Sequence, residues 1–510
     1  MPEADAGGDH GEEVIFPAVL RRMRAMRFLI FSLLAVLTAS GGQRPSILFC
    51  MADDWGWPHA GAYGEEGVAT PSFDRLAREG ALLHHVYTTS PSCTPSRNAV
   101  FTGKYHWQLG PGANLWSTLP TEHESFVHLL RDAGYRIGRN RAKSWGPGRI
   151  DSWVEYHGGH PAGPIFKGLS EFLNDGGDAP EPFFFWLGTS DPHRPYRLGA
   201  GEAAGIELDQ VHLFNHFPDH EVVRRDVADY YFEVQRWDRL VGKAISELEE
   251  RGLLENTIIV MTGDHGMPFP RGKGNLYDSG VRVPFAVRWG EGIPAGRSIE
   301  DFVSFVDLAP TLLEASGVEV PGEMSGRSFL ARLQEGQSGR LDAEGRPHAL
   351  FGRERHTPGQ EYPESGGYPS RGLRTHDFLY IRNYRPELDP AGAESPGNPS
   401  FPTMWYSDCD GGPTKDYIIE NRDVGPDGRL AFALSFGPRP AEELYDLRED
   451  PGQVRNLVGE WTYQPRLREL RRQLDEALAA TGDPRAEDPD YRGFDDYPYF
   501  GGGGGRREVR

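Results

Sequence analysis

Charged side chains follow four short apolar runs of the sequence, each near the point where the run ends. They are Asp53 and Asp54 after 46–51, Lys143 after 135–138, His193 after 182–188, and Asp264 with His265 after 256–263. Open α/β sheets bind ligands at the carboxyl ends of their strands. The carboxylates of Asp53, Asp54 and Asp264 suit a hard divalent cation such as Ca²⁺ or Mg²⁺. One Asp-Asp pair alone is commonly a turn or a helix cap, but four converging strand ends favour a site.

A cysteine lies at the start of a predicted helix in the segment 90–104, SPSCTPSRNAVFTGK. Thr94 is the predicted N-cap, Pro95 the first helical residue and Gly103 the C-terminal stop. This places Cys93 just outside the positive end of the helix dipole, with Arg97 in the first turn. A lone cysteine is most often a small core residue, yet its polar neighbours here favour an anion site with a nucleophile in it.

The same segment resembles the signature C-x-P-S-R-x-x-x-x-T-G of the formylglycine-dependent sulfatases. Five further segments match that family in the same order: MADDWG at 51–56, DPHRPY at 191–196, TGDHG at 262–266, KGNLYDSGVRVP at 273–284 and ELYDLREDPG at 443–452. Within that family, the sequence is most similar to the bacterial relatives of heparan N-sulfatase. The resemblance covers essentially all of the chain after the N-terminal leader.

The resemblance implies a covalent mechanism at residue 93. Cys93 would be oxidised to formylglycine by a formylglycine-generating enzyme. The hydrate of this aldehyde would bind the cation and attack sulfur, and the second hydroxyl on the same carbon would later expel sulfate. The cation, expected to be Ca²⁺, would be held by Asp53, Asp54, Asp264, His265 and residue 93, and it would lower the pKa of the nucleophile.

The resemblance also implies roles for the nearby cations. Arg97 would steady the hydrate, and Lys143 with Lys273 would hold the sulfate oxygens as charge builds in the transition state. His193 would protonate the departing oxygen or nitrogen.

One position departs from the family pattern. Many sulfatases carry Lys-x-His after the second strand, whereas this chain has Trp145 in place of that histidine. The histidine usually helps to remove a proton from the hydrate, and we expect His106 to substitute for it. Trp145 is expected to pack on a sugar ring instead, and Arg282 to contact an anionic group of the substrate.

Composition excludes several other classes of protein. Lys plus Arg number 54 and Asp plus Glu 75 among 510 residues, a net charge of −21 that argues against nonspecific binding of nucleic acid or anionic membrane. The three cysteines are far apart, so they support neither a disulfide framework nor a zinc finger. A basic stretch at 21–27 and an apolar run at 28–39 predict a secretory signal peptide within 1–42. The run is too short for a stable membrane span, and we expect a secreted or periplasmic protein.

The order of apolar runs and helical stretches indicates the fold. The strand-like runs 46–51, 135–138, 182–188, 256–263 and 283–289 alternate with helical segments such as 70–80 and 221–250. This pattern predicts a large, doubly wound mixed α/β sheet flanked by helices, and the resemblance implies the alkaline-phosphatase-like version of it. We predict a catalytic domain at 43–345, a smaller C-terminal α+β domain at 346–490 with its last helix at 465–482, and a disordered tail at 491–510.

The sequence thus predicts a sulfatase that removes sulfate, bound through oxygen or nitrogen, from a sulfated sugar. Two alternatives stay open. A phosphomonoester or phosphonate hydrolase of the same fold would use the same metal and cationic groups. A catalytically silent glycan-binding protein would explain the missing histidine, although binding alone does not require Cys93 beside Arg97 and three carboxylates.

Overall fold

The computed structural model describes residues 43–140, 144–177, 182–290, 292–341, 346–361, 366–394 and 405–501. The predicted signal peptide at 1–42 and the predicted sulfate-binding Lys143 lie outside the described residues. The strands are β1 (Ser46–Ala52), β2 (Ala81–Tyr87), β3 (Arg136–Asn140), β4 (Ile165–Phe166), β5 (Phe183–Gly188), β6 (Thr257–Gly263), β7 (Phe285–Arg288), β8 (Arg297–Ser304), β9 (Ala349–Arg353), β10 (Ser370–Arg374), β11 (Phe378–Asn383) and β12 (Glu442–Asp446).

The helices alternate with these strands over most of the chain. They are α1 (Pro71–Glu79), α2 (Cys93–Thr102), α3 (Phe126–Asp132), α4 (Asp151–His157), α5 (Leu169–Asp175), α6 (Ala200–Ala203), α7 (Glu221–Glu250), α8 (Asp278–Val281), α9 (Leu308–Ala315), α10 (Leu330–Gln334), α11 (Pro413–Glu420), α12 (Gly425–Phe436), α13 (Gln464–Ala480) and α14 (Pro484–Glu487). The helices predicted at 70–80, 221–250 and 465–482 are confirmed. No helix among the described residues has both the length and the apolar character that a bilayer crossing requires.

An eight-stranded sheet in the order β4-β3-β5-β1-β6-β7-β2-β8 forms the main layer. Strand β1 lies between β5 and β6 and runs parallel to both, and β7 is antiparallel to each of its two neighbours. The carboxyl ends of β1, β3, β5 and β6 therefore meet at one edge, as the sequence predicts. Strands β2 and β8 were not predicted from the sequence, because polar residues interrupt their apolar runs: His84, His85, Glu300 and Asp301.

Both faces of the large sheet are covered by apolar side chains. Alternate residues of β1 enter opposite clusters: Leu48 and Cys50 pack on the side of α7, whereas Ile47 and Phe49 pack on the side of α2, α3 and α9. Burial on both faces is what a nearly continuous apolar strand requires. The predicted doubly wound mixed sheet flanked by helices is confirmed.

A second, four-stranded antiparallel sheet in the order β12-β11-β10-β9 lies in the C-terminal part of the chain. Helix α13 packs on it through a stripe of four buried leucines, Leu467, Leu470, Leu474 and Leu478. The stretch 491–501, predicted to be disordered, is packed: Phe494 is buried and its carbonyl accepts a hydrogen bond from Asn114 Nδ2. The chain from Pro45 on forms one compact unit, and the domain boundary at 345 stays a prediction.

A buried ion-pair network ties this second sheet to the C-terminal helices. The Arg371 guanidinium is fully buried and donates to Glu354 Oε1 at 2.6 Å and to Asp483 Oδ1 at 3.1 Å. We expect Arg371→Leu to lower the free energy of unfolding by about 3–5 kcal/mol, because a buried carboxylate loses its partner. Chemical denaturation measures this loss.

The matched control is Arg472→Leu on α13, whose ion pair with Glu476 is exposed on both sides. This variant should change the unfolding free energy by less than about 1 kcal/mol. Equal losses in the two variants would show that burial of the Arg371 network is not what stabilises this sheet.

Candidate active site

Three carboxylates converge where the central strands β1 and β6 end. Asp53 and Asp54 directly follow β1, Asp264 directly follows β6, and all three are fully buried. The backbone N–H of Asp54 donates to Asp264 Oδ1 at 2.9 Å, which ties the two strand ends together. Asp54 has φ of 71°, a left-handed conformation that aspartate tolerates better than most residues. Such backbone strain is typical of functional sites.

The guanidinium of Arg97 bridges two of these carboxylates. Its Nε donates to Asp264 Oδ2 at 2.9 Å and one terminal nitrogen donates to Asp53 Oδ1 at 3.1 Å. Burial disfavours its charge, but Asp264 and Asp53 outweigh this cost and hold the pKa of Arg97 above its ordinary value. Arg97 thus stays charged and orients the carboxylates that the sequence assigns to the cation.

Cys93 is the first residue of α2 rather than a residue just outside it. The N-cap is Ser92, not the predicted Thr94, whose hydroxyl donates instead to the carbonyl of Pro147 at 2.6 Å. Ser92 does not cap the helix with its side chain, because its hydroxyl bonds His356 Nδ1 at 2.8 Å. The predicted left-handed stop at Gly103, with φ of 63°, is confirmed.

The thiol of Cys93 points into the carboxylate cluster. Its Sγ lies 3.3 Å from His265 Nε2. Burial and the negative charge of Asp53 raise the pKa of the Cys93 thiol, and the nearby ammonium of Lys273 only partly offsets them. An unmodified Cys93 is therefore a neutral thiol near pH 7 and a poor nucleophile.

The donor atoms of this cluster fit a divalent cation. The side chains of Asp53, Cys93 and Asp264 form one group whose ligand atoms lie within 4.8 Å of one another, and Asp54, Cys93 and His265 form another. Asp54 Oδ1 is buried without a hydrogen-bond partner among the described residues. Burial raises the pKa of Asp264, and Asp53 and Asp54 raise it further. A bound cation would satisfy the orphaned oxygen and favour the charged carboxylates.

Lys273 and His193 border the cluster on its open side. Lys273 Nζ donates to Asp54 Oδ2 and to Asp410 Oδ2, both at 3.0 Å. Burial raises the pKa of Asp410, but Lys273 and His193 outweigh burial and hold it well below its usual range. His193 Nδ1 bonds the carbonyl of Arg194 at 2.6 Å, and Nε2 lies 3.9 Å from Asp54 Oδ2. The carbonyl fixes the proton on Nδ1, so Nε2 is free to exchange a proton with substrate.

Arg282 is not an anion contact, contrary to the expectation from its motif. Two of its nitrogens donate to the carbonyl of His84, a third lies 3.5 Å from Asp278, and the guanidinium covers the ring of Trp57. All of these contacts are internal, and the side chain is buried. Arg282 therefore stabilises the loop between β6 and β7, and its buried guanidinium is committed to His84, Asp278 and Trp57.

The expectations for Trp145 and His106 are also corrected. The Trp145 indole is buried in the core and its Nε1 donates to Asn98 Oδ1 at 2.6 Å, so the ring is not available to a sugar. His106 is fully buried against Trp107. Burial and the charge of Arg371 lower the pKa of His106 well below its ordinary value. Such an imidazole is a weak base, so His106 is a poor substitute for the missing histidine.

Two residues from the C-terminal part of the chain lie at the site, and the sequence did not predict them there. Asp410 bonds Lys273, and His356 bonds Ser92 at the start of α2. The only sequence signal for Asp410 is the polar loop DCDGG at 408–412, in which Cys409 has no evident partner. His356 lies in a Pro/Gly-rich stretch and carries no signal.

Comparison with known proteins agrees with this geometry. The family model described as Sulfatase matches residues 45–318, more than half of the chain. The chain is 29% identical over 484 residues to an ulvan-active sulfatase of Formosa agariphila, covering 86% of this chain and 76% of that protein. It is 28% identical over 516 residues to the N-sulphoglucosamine sulphohydrolase of Homo sapiens, covering 90% of this chain and 95% of that protein.

Solved structures share the fold. One, of a protein in complex with its substrate D-glucosamine-2-N,6-O-disulfate, superposes with a TM-score of 0.60 at 21% identity, covering 88% of this chain and 100% of that one. The phosphonate monoester hydrolase of Agrobacterium radiobacter superposes with a TM-score of 0.60 at 16% identity, covering 86% and 96%. These two likenesses show the fold alone, whereas the family model matches the region that holds Cys93, Arg97 and the three carboxylates. The chain belongs to the sulfatase family.

Proposed function

We propose that this chain hydrolyses sulfate from a sulfated sugar, giving inorganic sulfate and the free hydroxyl or amine. The observation that carries the proposal is the position of Cys93. It begins a helix, lies 3.3 Å from His265, and is grouped with the carboxylates that Arg97 bridges. Nucleophile, cation ligands and anion-binding charges thus occupy one strand edge of a sulfatase-family fold.

Two groups absent from the unmodified chain complete this chemistry. A divalent cation, expected to be Ca²⁺, would be held by Asp53, Asp54, Asp264 and His265, and it would polarise the sulfate and favour loss of a proton from the nucleophile. Formylglycine at residue 93 would supply, as its hydrate, two hydroxyl groups on one carbon. A plain thiol offers only one nucleophilic atom and lacks the second group.

The chain's own side chains then divide the remaining work. Arg97 holds residue 93 and the carboxylates in register, and Lys273 contributes a positive charge beside the sulfate oxygens. Lys143 is proposed as a second such charge. His193, whose Nε2 faces the cluster, gives a proton to the departing oxygen or nitrogen. Trp145 occupies the position at which many sulfatases carry a histidine, and its indole packs in the core and transfers no proton.

The first experiment is the mass of the tryptic peptide 79–97 from protein produced with a formylglycine-generating enzyme. A formylglycine mass, together with turnover of a sulfate ester far above that of its phosphate analogue, is the expected result. Preference for the phosphate ester would indicate a phosphate or phosphonate hydrolase. Correct modification with glycan binding but no sulfate release would indicate the silent glycan-binding protein.

Export is part of the proposal, because the basic stretch at 21–27 and the apolar run at 28–39 have the pattern of a secretory signal peptide. We expect the exported protein to begin near residue 43, after removal of 1–42. N-terminal sequencing of the protein from the culture medium or the periplasm measures this. An N-terminus at Met1 in cytoplasmic protein alone would contradict it.

A further inference from the structure

The charged residues of the site differ sharply in exposure. The side chains of Asp53, Asp54, Arg97, Asp264 and His265 are completely buried. His193 and Asp410, in contrast, are 26% and 27% exposed. Of these charged residues, His193 and Asp410 are the ones that solvent reaches, so a sugar whose sulfate lay at Cys93 would lie beside them at the mouth of the site.

The loop that carries Asp410 is held rigidly. The buried ammonium of Lys415 donates to the carbonyls of Trp405, Tyr406 and Cys409, at 2.8, 3.1 and 2.7 Å. These three bonds use all the donors that an ammonium has. The loop is therefore fixed from within immediately before Asp410.

The loop is also fixed on two sides, by the segment that follows β9 and by helix α7. On the side of the second sheet, Asp408 accepts a hydrogen bond from the Thr357 backbone at 2.8 Å. On the side of α7, Asp226 accepts hydrogen bonds from Thr414 and binds the Arg194 guanidinium through both oxygens. A side chain on a loop held this way is preorganised, so contact with a ligand costs little ordering entropy.

One oxygen of Asp410 has no partner. Oδ2 accepts the hydrogen bond from Lys273, whereas Oδ1 makes no hydrogen bond within the part of the chain that the structure describes. An ionised carboxylate can only accept hydrogen bonds. The free oxygen thus suits a hydroxyl of the sugar, and its charge repels a second sulfate or a carboxylate.

We propose that Asp410 determines substrate specificity by binding a free hydroxyl next to the sulfated position and by rejecting sugars with a second anionic group there. This inference rests on the proposed function, since it concerns the sugar side of the same site. The substrate class is then a sugar that carries a sulfate at the reacting position, no second sulfate beside it, and a hydrogen-bond donor on a neighbouring carbon.

The wild-type enzyme gives the first test. The best monosulfated methyl glycoside from a substrate panel is compared with two derivatives, in which the neighbouring hydroxyl is methylated or sulfated. Loss of a hydrogen bond to a charged group should lower kcat/KM about tenfold or more for the methyl ether, and the vicinal disulfate should be poorer still. Similar kcat/KM values for all three sugars would overturn the proposal, and no variant has to fold for this test.

The second test is Asp410→Asn, which keeps the shape of the side chain and removes its charge. The ratio of kcat/KM for the monosulfate to that for the disulfate should fall about tenfold or more, because the amide no longer repels the second sulfate. The matched control, Asp416→Asn, removes a charge at an exposed position of α11 and should keep the wild-type ratio. An unchanged ratio in Asp410→Asn would contradict the proposal.

Binding separates this inference from the proposed function. The same three sugars are titrated by calorimetry into Cys93→Ala protein, which cannot turn them over. Preference for the monosulfate in Kd, with no hydrolysis by the modified wild type, would refute the hydrolase and support the specificity. Hydrolysis without any preference in Kd or kcat/KM would support the hydrolase and refute the role of Asp410.

Discussion

Replacing Cys93 by alanine should lower sulfate-ester turnover by about 10⁴-fold or more, because the variant can form neither formylglycine nor another nucleophile at that atom. Within the described residues, the one side-chain hydrogen bond of the Cys93 sulfur is with His265. The fold should therefore persist, with the melting temperature close to that of the wild type. Turnover of a sulfate ester and thermal unfolding, measured on the same preparation, check both parts.

The matched control is Cys50→Ala, the same chemical change at a fully buried position of β1. Cys50 belongs to the apolar cluster on the side of α7, so this variant should lose about 1 kcal/mol of stability through the cavity it leaves and keep its activity. The two cysteines should thus separate activity from stability. Full activity in Cys93→Ala would refute the nucleophile, and inactivity of Cys50→Ala would show that turnover reports on packing instead.

Replacing Asp264 by asparagine should weaken Ca²⁺ binding by at least about 100-fold and reduce turnover with it. Each oxygen of Asp264 faces a donor, Asp54 N on one side and Arg97 Nε on the other. The amide NH₂ of asparagine must therefore oppose one of these N–H groups in either orientation. Calorimetric titration of chelator-treated protein with Ca²⁺ measures the affinity, and added Ca²⁺ should restore part of the activity.

Asp301→Asn is the matched control for this change. Asp301 is buried and also accepts one backbone N–H, from Leu341, and one arginine Nε, from Arg332, but it lies outside the cluster. Both variants should lose about 1–3 kcal/mol of stability, and only Asp264→Asn should lose Ca²⁺ affinity. If the two variants bound Ca²⁺ equally well, the carboxylate of Asp264 would be structural.

The sequence predicts that Cys93, Arg97 and the carboxylates lie together, because the signals for this part of the site are local. The start and stop of α2 are encoded within eleven residues, from Cys93 to Gly103. The carboxylates directly follow β1 and β6, and parallel neighbours necessarily end at the same edge. Such short-range signals do not fix a helix boundary to the residue, and the N-cap is Ser92 rather than Thr94.

The roles of Trp145 and Arg282 could not be predicted, because their partners are distant in sequence. Trp145 bonds Asn98, 47 residues earlier, and Arg282 bonds the carbonyl of His84, 198 residues earlier. A family motif places such a residue near the site but does not say whether its polar atoms are already satisfied. Both side chains are buried and make their polar contacts within the protein.

By itself, the sequence determined the doubly wound sheet, the strand edge that holds the carboxylates, and the presence of a helix beside Cys93 that ends at Gly103. Apolar periodicity, helix caps and strand ends are local properties, because they depend on residues that are close together in the sequence. Only the tertiary structure decided which charges meet at the mouth of the site. The Asp410 carboxylate reaches Lys273 across 137 residues because bonds of Lys415, Thr357 and Asp226 hold its loop in place. That contact depends on long-range packing, which no segment of the sequence encodes alone.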